Sequence, residues 1–120
     1  MSIPRVVIFV RKEFRSCLKD KRLDCISNLY HKKAVLKGSF AKKPVIGHEL
    51  IQKYFEKFFK DVNDVKFDKN PIIFEKNNLV FVSGKYDFSF DDGRKVRATY
   101  QFVLEDDKIL THFSAVNEWY

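Results

Sequence analysis

The sequence predicts an α+β domain in which three N-terminal helices pack on a curved, mostly antiparallel sheet. Before Asn63 the apolar residues recur at helical spacing; beyond it they alternate, with turn residues between the runs. The third helical run carries an unusually heavy aromatic stripe, which needs a broad apolar surface beneath it, and a sheet supplies one.

Ser2 suits an N-cap and Pro4 the first helical turn, where its missing N–H costs nothing. Val7, Val10, Phe14, Cys17 and Leu18 then form one stripe through about Lys19. A second short helix from about Arg22 directs Leu23, Ile26, Leu29 and Tyr30 inward. "AVLKGSF" reads as a short strand closed by Gly38, and "KKPVIG" as a loop broken by Pro44 and Gly47. The third helix, "GHELIQKYFEKFFKDV", buries Ile51, Tyr54, Phe55, Phe58 and Phe59, and turns Lys53, Glu56, Lys57 and Lys60 outward. "VKFDKNPIIFE" is one strand interrupted at Pro71, at an edge or a bulge. Three more strands follow at about 79–90, 95–104 and 108–118.

With 120 residues the chain makes one domain, 1–120, and 45% apolar content with 13 Phe excludes disorder. Cys17 and Cys25 have neither metal-ligand nor disulfide-framework spacing, and read as small buried hydrophobes in a reducing compartment. The run "VVIFV" meets "RKEFR" at once, too short for a signal segment, and no other run could span a bilayer. A cytoplasmic protein without a membrane partner is expected. The formal charge of +7 raises a nucleic-acid reading, but its Lys and Arg are scattered among acids, as in "KDKR", "HKK" and "AKK". Without an RNA-binding signature, zinc-finger spacing or a basic helix, that partner is set aside. Its 4 glycines sit in turns or caps, leaving no phosphate loop, and His31 and His48 lie in separate segments. Neither a cofactor nor a metal is expected.

Register follows from the alternation. A turn at Asp91, Asp92 and Gly93 sets Phe88 opposite Val96, Tyr86 opposite Ala98 and Gly84 opposite Tyr100. A turn at Glu105, Asp106 and Asp107 sets Phe102 opposite Leu110, Tyr100 opposite His112 and Ala98 opposite Ser114. The inner face then collects Tyr86, Phe88, Val96, Ala98, Tyr100, Phe102, Leu110, His112, Ser114 and Val116. The outer face takes Ser83, Lys85, Asp87, Arg97, Thr99, Gln101 and Thr111, together with Ile109 and Phe113. Asp87 and Arg97 can bond across the sheet or across an interface, and apolar residues on that face lead us to expect a homodimer.

The ordered pattern "LYHKKAVLKGSF", "GHELIQKYFEKFF", "SGKYDFSFDDGRKVRATYQFV" and "DDKILTHFSA" resembles the nuclear transport factor 2-like superfamily. Its nearest branch is similar to the association domain of calcium/calmodulin-dependent protein kinase II and to SnoaL-like small bacterial proteins. The resemblance spans nearly the whole chain and implies a cone-shaped, cystatin-like domain enclosing a pocket, commonly in a dimer. It also implies activities ranging from isomerases, dehydratases and hydrolases of small hydrophobic molecules to plain binding or assembly. That branch usually reads "ARYTF" and "HHSS" in the last two strands, where this chain has "ATYQF" and "HFSA". Thr99, Phe113 and Ala115 thus replace Arg, His and Ser, removing ionisable groups, and Arg97 is the nearest candidate for a displaced guanidinium.

On the inner face, Tyr86, Tyr100, His112 and Ser114 project toward the helices, where Tyr30 and Tyr54 meet them. Aromatic walls with a few convergent hydroxyls suit a small hydrophobic or amphipathic ligand. His112 is the acid–base candidate, being the one group there that titrates near neutral pH. The alternative makes it a satisfied buried histidine bonded to Tyr100. A Ser114–His112–Asp87 triad is excluded, because Asp87 faces outward and no nucleophile elbow is present. The leading expectation is a non-catalytic, homodimeric ligand-binding or assembly domain. An isomerase or dehydratase of a small hydrophobic cyclic substrate, with His112 as general base, is the second. A partner-binding module using the outer face and its positive charge is the third.

Overall fold

Helix α1 (Arg5–Lys19) starts directly after Pro4, whose carbonyl accepts the Val7 and Ile8 N–H groups at 3.0 and 3.2 Å. The computed structural model describes residues 3–120, so the Ser2 cap lies outside the described residues. Val7, Val10, Phe14, Cys17 and Leu18 are buried along one stripe, as the spacing predicts. The chain then reverses through Lys21, held at φ 52°, into the short helix α2 (Leu23–Ser27). This corner brings the Cα atoms of Cys17 and Cys25 to 5.5 Å, and the sulfurs form a disulfide. The reading of two unpaired thiols is thereby corrected. The pairing is set by the helix–helix corner, which no spacing rule along the chain reveals.

Strand β1 (Tyr30–Lys37) begins earlier than the sequence suggests, so Leu29 and Tyr30 leave α2 and Tyr30 opens the sheet. Within the expected loop, β2 (Val45–Ile46) pairs with β1, Val45 facing Leu36. Gly47, at φ 90°, then turns the chain into α3 (His48–Phe58). Ile51, Phe55 and Phe58 of α3 are buried against the sheet, with Phe59 just beyond its end. The remaining strands are β3 (Val62–Phe67), β4 (Ile72–Lys76), β5 (Leu79–Phe90), β6 (Lys95–Glu105) and β7 (Lys108–Trp119). They form a curved, unclosed seven-stranded sheet of order β2-β1-β7-β6-β5-β3, with β4 also on β5; β1 and β7 run parallel and the other pairs antiparallel. The interrupted strand is two strands, β3 on one end of β5 and β4 on the other. Asp68 fills the gap: its carboxylate accepts the Lys85 N–H at 3.2 Å over Gly84, where a Cβ would come within 2.8 Å of both carboxylate oxygens.

The β5–β6 register matches the alternation, with Phe88 on Val96, Tyr86 on Ala98 and Gly84 on Tyr100. The β6–β7 register does not. Phe102 faces His112, Tyr100 faces Ser114 and Ala98 faces Val116. The turn holds only Asp106 and Asp107, since Glu105 pairs with Lys108, and a bulge follows at Leu110. The shorter turn reverses side-chain parity and the bulge restores it, so His112 and Ser114 still point inward. Ile109 is consequently buried and Leu110 only half-buried, opposite to the expectation. A second irregularity near Asn117 sets Glu118 opposite outward-facing Arg97 and Trp119 opposite buried Val96.

Phe14 of α1 plugs the concave side of the sheet. Its ring lies 5.8 Å from His112, 5.9 Å from Phe67, 6.0 Å from Phe55 and 6.2 Å from Phe102, centre to centre. Burying such a ring contributes about 1.5–3 kcal/mol. On the convex side, Phe74, Phe81, Val103 and Thr111 stand abreast across β4–β7, beside a second row of Ile72, Ser83, Gln101 and Phe113. Among the described residues, no helix is long and apolar enough to cross a membrane.

Candidate functional site

Two features compete for the role of a site, and the fold separates them. The first is the polar cluster predicted on the inner face. His112 is 3% exposed, and both its ring nitrogens are engaged, Nδ1 with the Tyr30 hydroxyl at 2.7 Å and Nε2 with the Tyr86 hydroxyl at 2.9 Å. A neutral imidazole carries one donor and one acceptor, so one tyrosine donates to it and the other accepts from it. Burial pushes the His112 pKa down to about 3. Burial also raises the phenols of Tyr30, Tyr86 and Tyr100 above their ordinary range, so the whole cluster is uncharged at neutral pH. Ser114 bonds the Ser39 hydroxyl at 2.5 Å, at the end of β1.

Tyr100 is not the partner of His112. With Ser114 in the position expected for His112, its hydroxyl is buried with no hydrogen-bond partner among the described residues, and its ring stacks 4.7 Å from Tyr86. Arg97 supplies no displaced guanidinium. It forks onto the Asp87 carboxylate on the outer face at 3.0 and 3.2 Å, and its ion pair holds Asp87 below the usual carboxylate range. Phe14 packs edge-on against His112, Phe55 against Tyr30, and Phe67 against Tyr86 and Tyr100, so the predicted pocket floor is covered by side chains.

The second feature is an open cavity of about 520 Å³ between α3, the β1–β2 loop and the far ends of β5 and β7. Of the six residues predicted from the sequence, Tyr54 alone lines it. The Tyr54 hydroxyl fits over Gly38, where a Cβ would lie only 1.9 Å away, and burial raises its pKa. Four more rings, Phe40, Phe58, Phe90 and Trp119, complete the wall. Trp119 lies 5.6 Å from Phe40 and 5.2 Å from Phe90, centre to centre. Lys53 and Lys57, one turn apart on α3, stand at its edge with Asp61 beyond them. A cavity of this size with apolar walls and a few polar groups at one side suits a small molecule.

Phe90 shares the parity of Tyr86 and Phe88, so its inward direction was available in the sequence. Trp119 was not: simple alternation points it outward, and the irregularity at Asn117 turns it in. Phe40 sits in a loop, and nothing in the local pattern marks it. Among the described residues, no His, Cys, Asp and Glu are grouped as a metal site would require.

The sequence profile of the SnoaL-like domain family matches residues 10–112, and the chain belongs to that family. Its fold is that of nuclear transport factor 2-like proteins. A protein of Xanthomonas campestris, provisionally described as a calcium/calmodulin-dependent protein kinase II association domain, superposes with a TM-score of 0.83 at 23% identity, over 98% of this chain and 89% of that one. A steroid delta-isomerase of Pseudomonas aeruginosa gives 0.69 at 14%, over 98% and 84%. An NTF2-like protein of unknown function from Cytophaga hutchinsonii gives 0.64 at 18%, over 98% and 95%. At these identities the likeness establishes the fold alone. No functionally curated protein matches the sequence.

Proposed function

We propose that this protein is a non-catalytic domain that binds a small hydrophobic or amphipathic molecule, and that it works as a homodimer. The aromatic-walled cavity of about 520 Å³ carries the reading. The Tyr30–His112–Tyr86 cluster acts as the rigid backing of the inner sheet, and Tyr54, outside that cluster, touches the ligand from the cavity wall. An isomerase or dehydratase using His112 as general base lacks support: that imidazole is roofed over, bonded at both nitrogens and outside the cavity lining.

The homodimer reading rests on the convex face, where Ile72, Phe74 and Phe113 are 75%, 59% and 45% exposed within two adjacent rows of sheet residues. Sheet packing against a second copy would cover them. Phe113→Lys is expected to give monomers by analytical ultracentrifugation at concentrations where the parent chain is dimeric. A monomeric parent chain removes this part of the proposal. We keep the cytoplasm as the proposed compartment, although the Cys17–Cys25 bond suits an oxidising one. Alkylation before lysis, followed by intact mass, decides between two free thiols and a closed bond.

Occupancy of the cavity is tested with neutral N-phenyl-1-naphthylamine. Energy transfer from Trp119, the single Trp of the chain, reports binding, and a variant of the cavity lining locates it. Transfer that saturates, and weakens in Ala41→Phe, supports the reading, because Ala41 lines the cavity and a ring at that position takes up part of its space. Saturable transfer that Ala41→Phe leaves unchanged places the dye elsewhere and contradicts it.

A further inference from the structure

The cavity's charge goes further than its shape, and we infer that its ligand is an acid: a flat apolar body carrying a carboxylate or a similar anionic group. The inference rests on the ligand-binding reading above and adds the chemical class. Lys53 and Lys57 both line the cavity from α3. Lys53 has Glu49 at 3.7 Å, but the two side chains are 65% and 86% exposed, so that pair holds the ammonium weakly. Among the described residues, Lys57 has no carboxylate within ion-pair distance.

The β1–β2 loop adds charge of the same sign nearby. Lys42 and Lys43 are exposed and lie in the chain between Ala41 and Val45, which both line the cavity. Arg94 lies over the outer sides of two wall rings, 5.8 Å from Phe90 and 5.0 Å from Trp119. Its own partner, Asp92, leaves that corner neutral. The one acid in the lining is Asp61, past Lys57 at the end of α3. Two lysines against one aspartate give the lining a net charge of +1, beside apolar walls. A low-dielectric wall strengthens the attraction between a bound anion and nearby ammonium groups relative to open water. A neutral ligand would gain only the apolar contact. An acidic one gains both, with its rings between Phe40, Phe58 and Trp119 and its anionic group outward at the lysines.

Two dyes of nearly the same shape separate these contributions: the anionic 8-anilinonaphthalene-1-sulfonate and the neutral N-phenyl-1-naphthylamine, each read by energy transfer from Trp119. The sulfonate is expected to bind roughly tenfold tighter at low salt, with the advantage shrinking as salt rises. The double variant Lys53→Gln/Lys57→Gln should remove most of that advantage, weakening the sulfonate several-fold more than the neutral dye. Equal affinities in the parent chain, or a double variant that weakens both dyes alike, would overturn the anionic assignment while leaving a binding cavity. Absence of transfer to either dye would remove the cavity reading together with this one.

Discussion

Acidifying the solution should destabilise this protein in a way traceable to His112. In the folded chain burial holds its pKa at about 3, against 6.5 for a free imidazole. Between those values the unfolded chain binds a proton that the folded chain refuses, so stability falls as pH falls. His112 thus leaves stability intact above pH 6.5, and the loss accumulates on the way down to about pH 3. The slope is about 1.4 kcal/mol per pH unit and the whole descent amounts to roughly 5 kcal/mol, a large share of a small domain's stability. Asp64 and Asp87 are held below their ordinary range by Arg15 and Arg97, so their stabilisation is lost only at the acid end. Urea unfolding of the parent chain and of His112→Gln, followed by Trp119 fluorescence between pH 7 and 4.5, isolates the imidazole. The variant should be less stable at pH 7, because Tyr30 and Tyr86 lose a partner at about 1–3 kcal/mol per unsatisfied hydroxyl, yet its pH slope should be shallower. If the variant folds too poorly to measure, the imidazole nitrogen shifts of the parent chain give the same answer, staying at neutral values down to about pH 4. Parallel slopes, or a His112 resonance titrating near 6.5, would mean that solvent reaches the ring and that Phe14 does not cover it.

Gly38→Ala should expel the Tyr54 hydroxyl, because the new methyl would overlap it, and should weaken binding of N-phenyl-1-naphthylamine with little loss of α3; unchanged binding would show that Tyr54 does not shape the wall. Cys17→Ser/Cys25→Ser should cost about 2–3 kcal/mol in chemical denaturation, and reduction of the parent chain should match it. Phe14→Ala should cost about 3–5 kcal/mol and open a void above His112, visible as faster proton exchange at the imidazole; a loss below 1 kcal/mol would deny Phe14 its place as the plug.

The sheet was legible because its code is short. Alternation in β5 and β6, with Gly93 marking a left-handed turn position at φ 92°, fixes a register that needs no tertiary information. The β6–β7 hairpin has three acids and no glycine at its turn. Asp106 takes the left-handed position at φ 57°, a role the sequence does not advertise. A turn one residue shorter and a compensating bulge at Leu110 left the parity of His112 and Ser114 intact but changed their partners. The cluster's inward direction was therefore readable, and its hydrogen bonds were not: Tyr30 reaches His112 only because β1 lies parallel to β7, a pairing between distant segments. The cavity was the least legible feature. It depends on Phe14 filling the centre of the cone, which moves the open space toward α3, and on a local irregularity that turns Trp119 inward. The disulfide is hidden for a similar reason, since only the angle between α1 and α2 brings Cys17 to Cys25.

The most direct test of where a ligand sits is a nitrogen-resolved NMR titration with N-phenyl-1-naphthylamine, following the Trp119 indole and the His112 imidazole in one sample. Binding between α3 and the far ends of β5 and β7 predicts a saturable shift of the indole N–H while both imidazole nitrogens stay where they were. Movement of the imidazole signals with a still indole would put the ligand against the tyrosine cluster and contradict the placement.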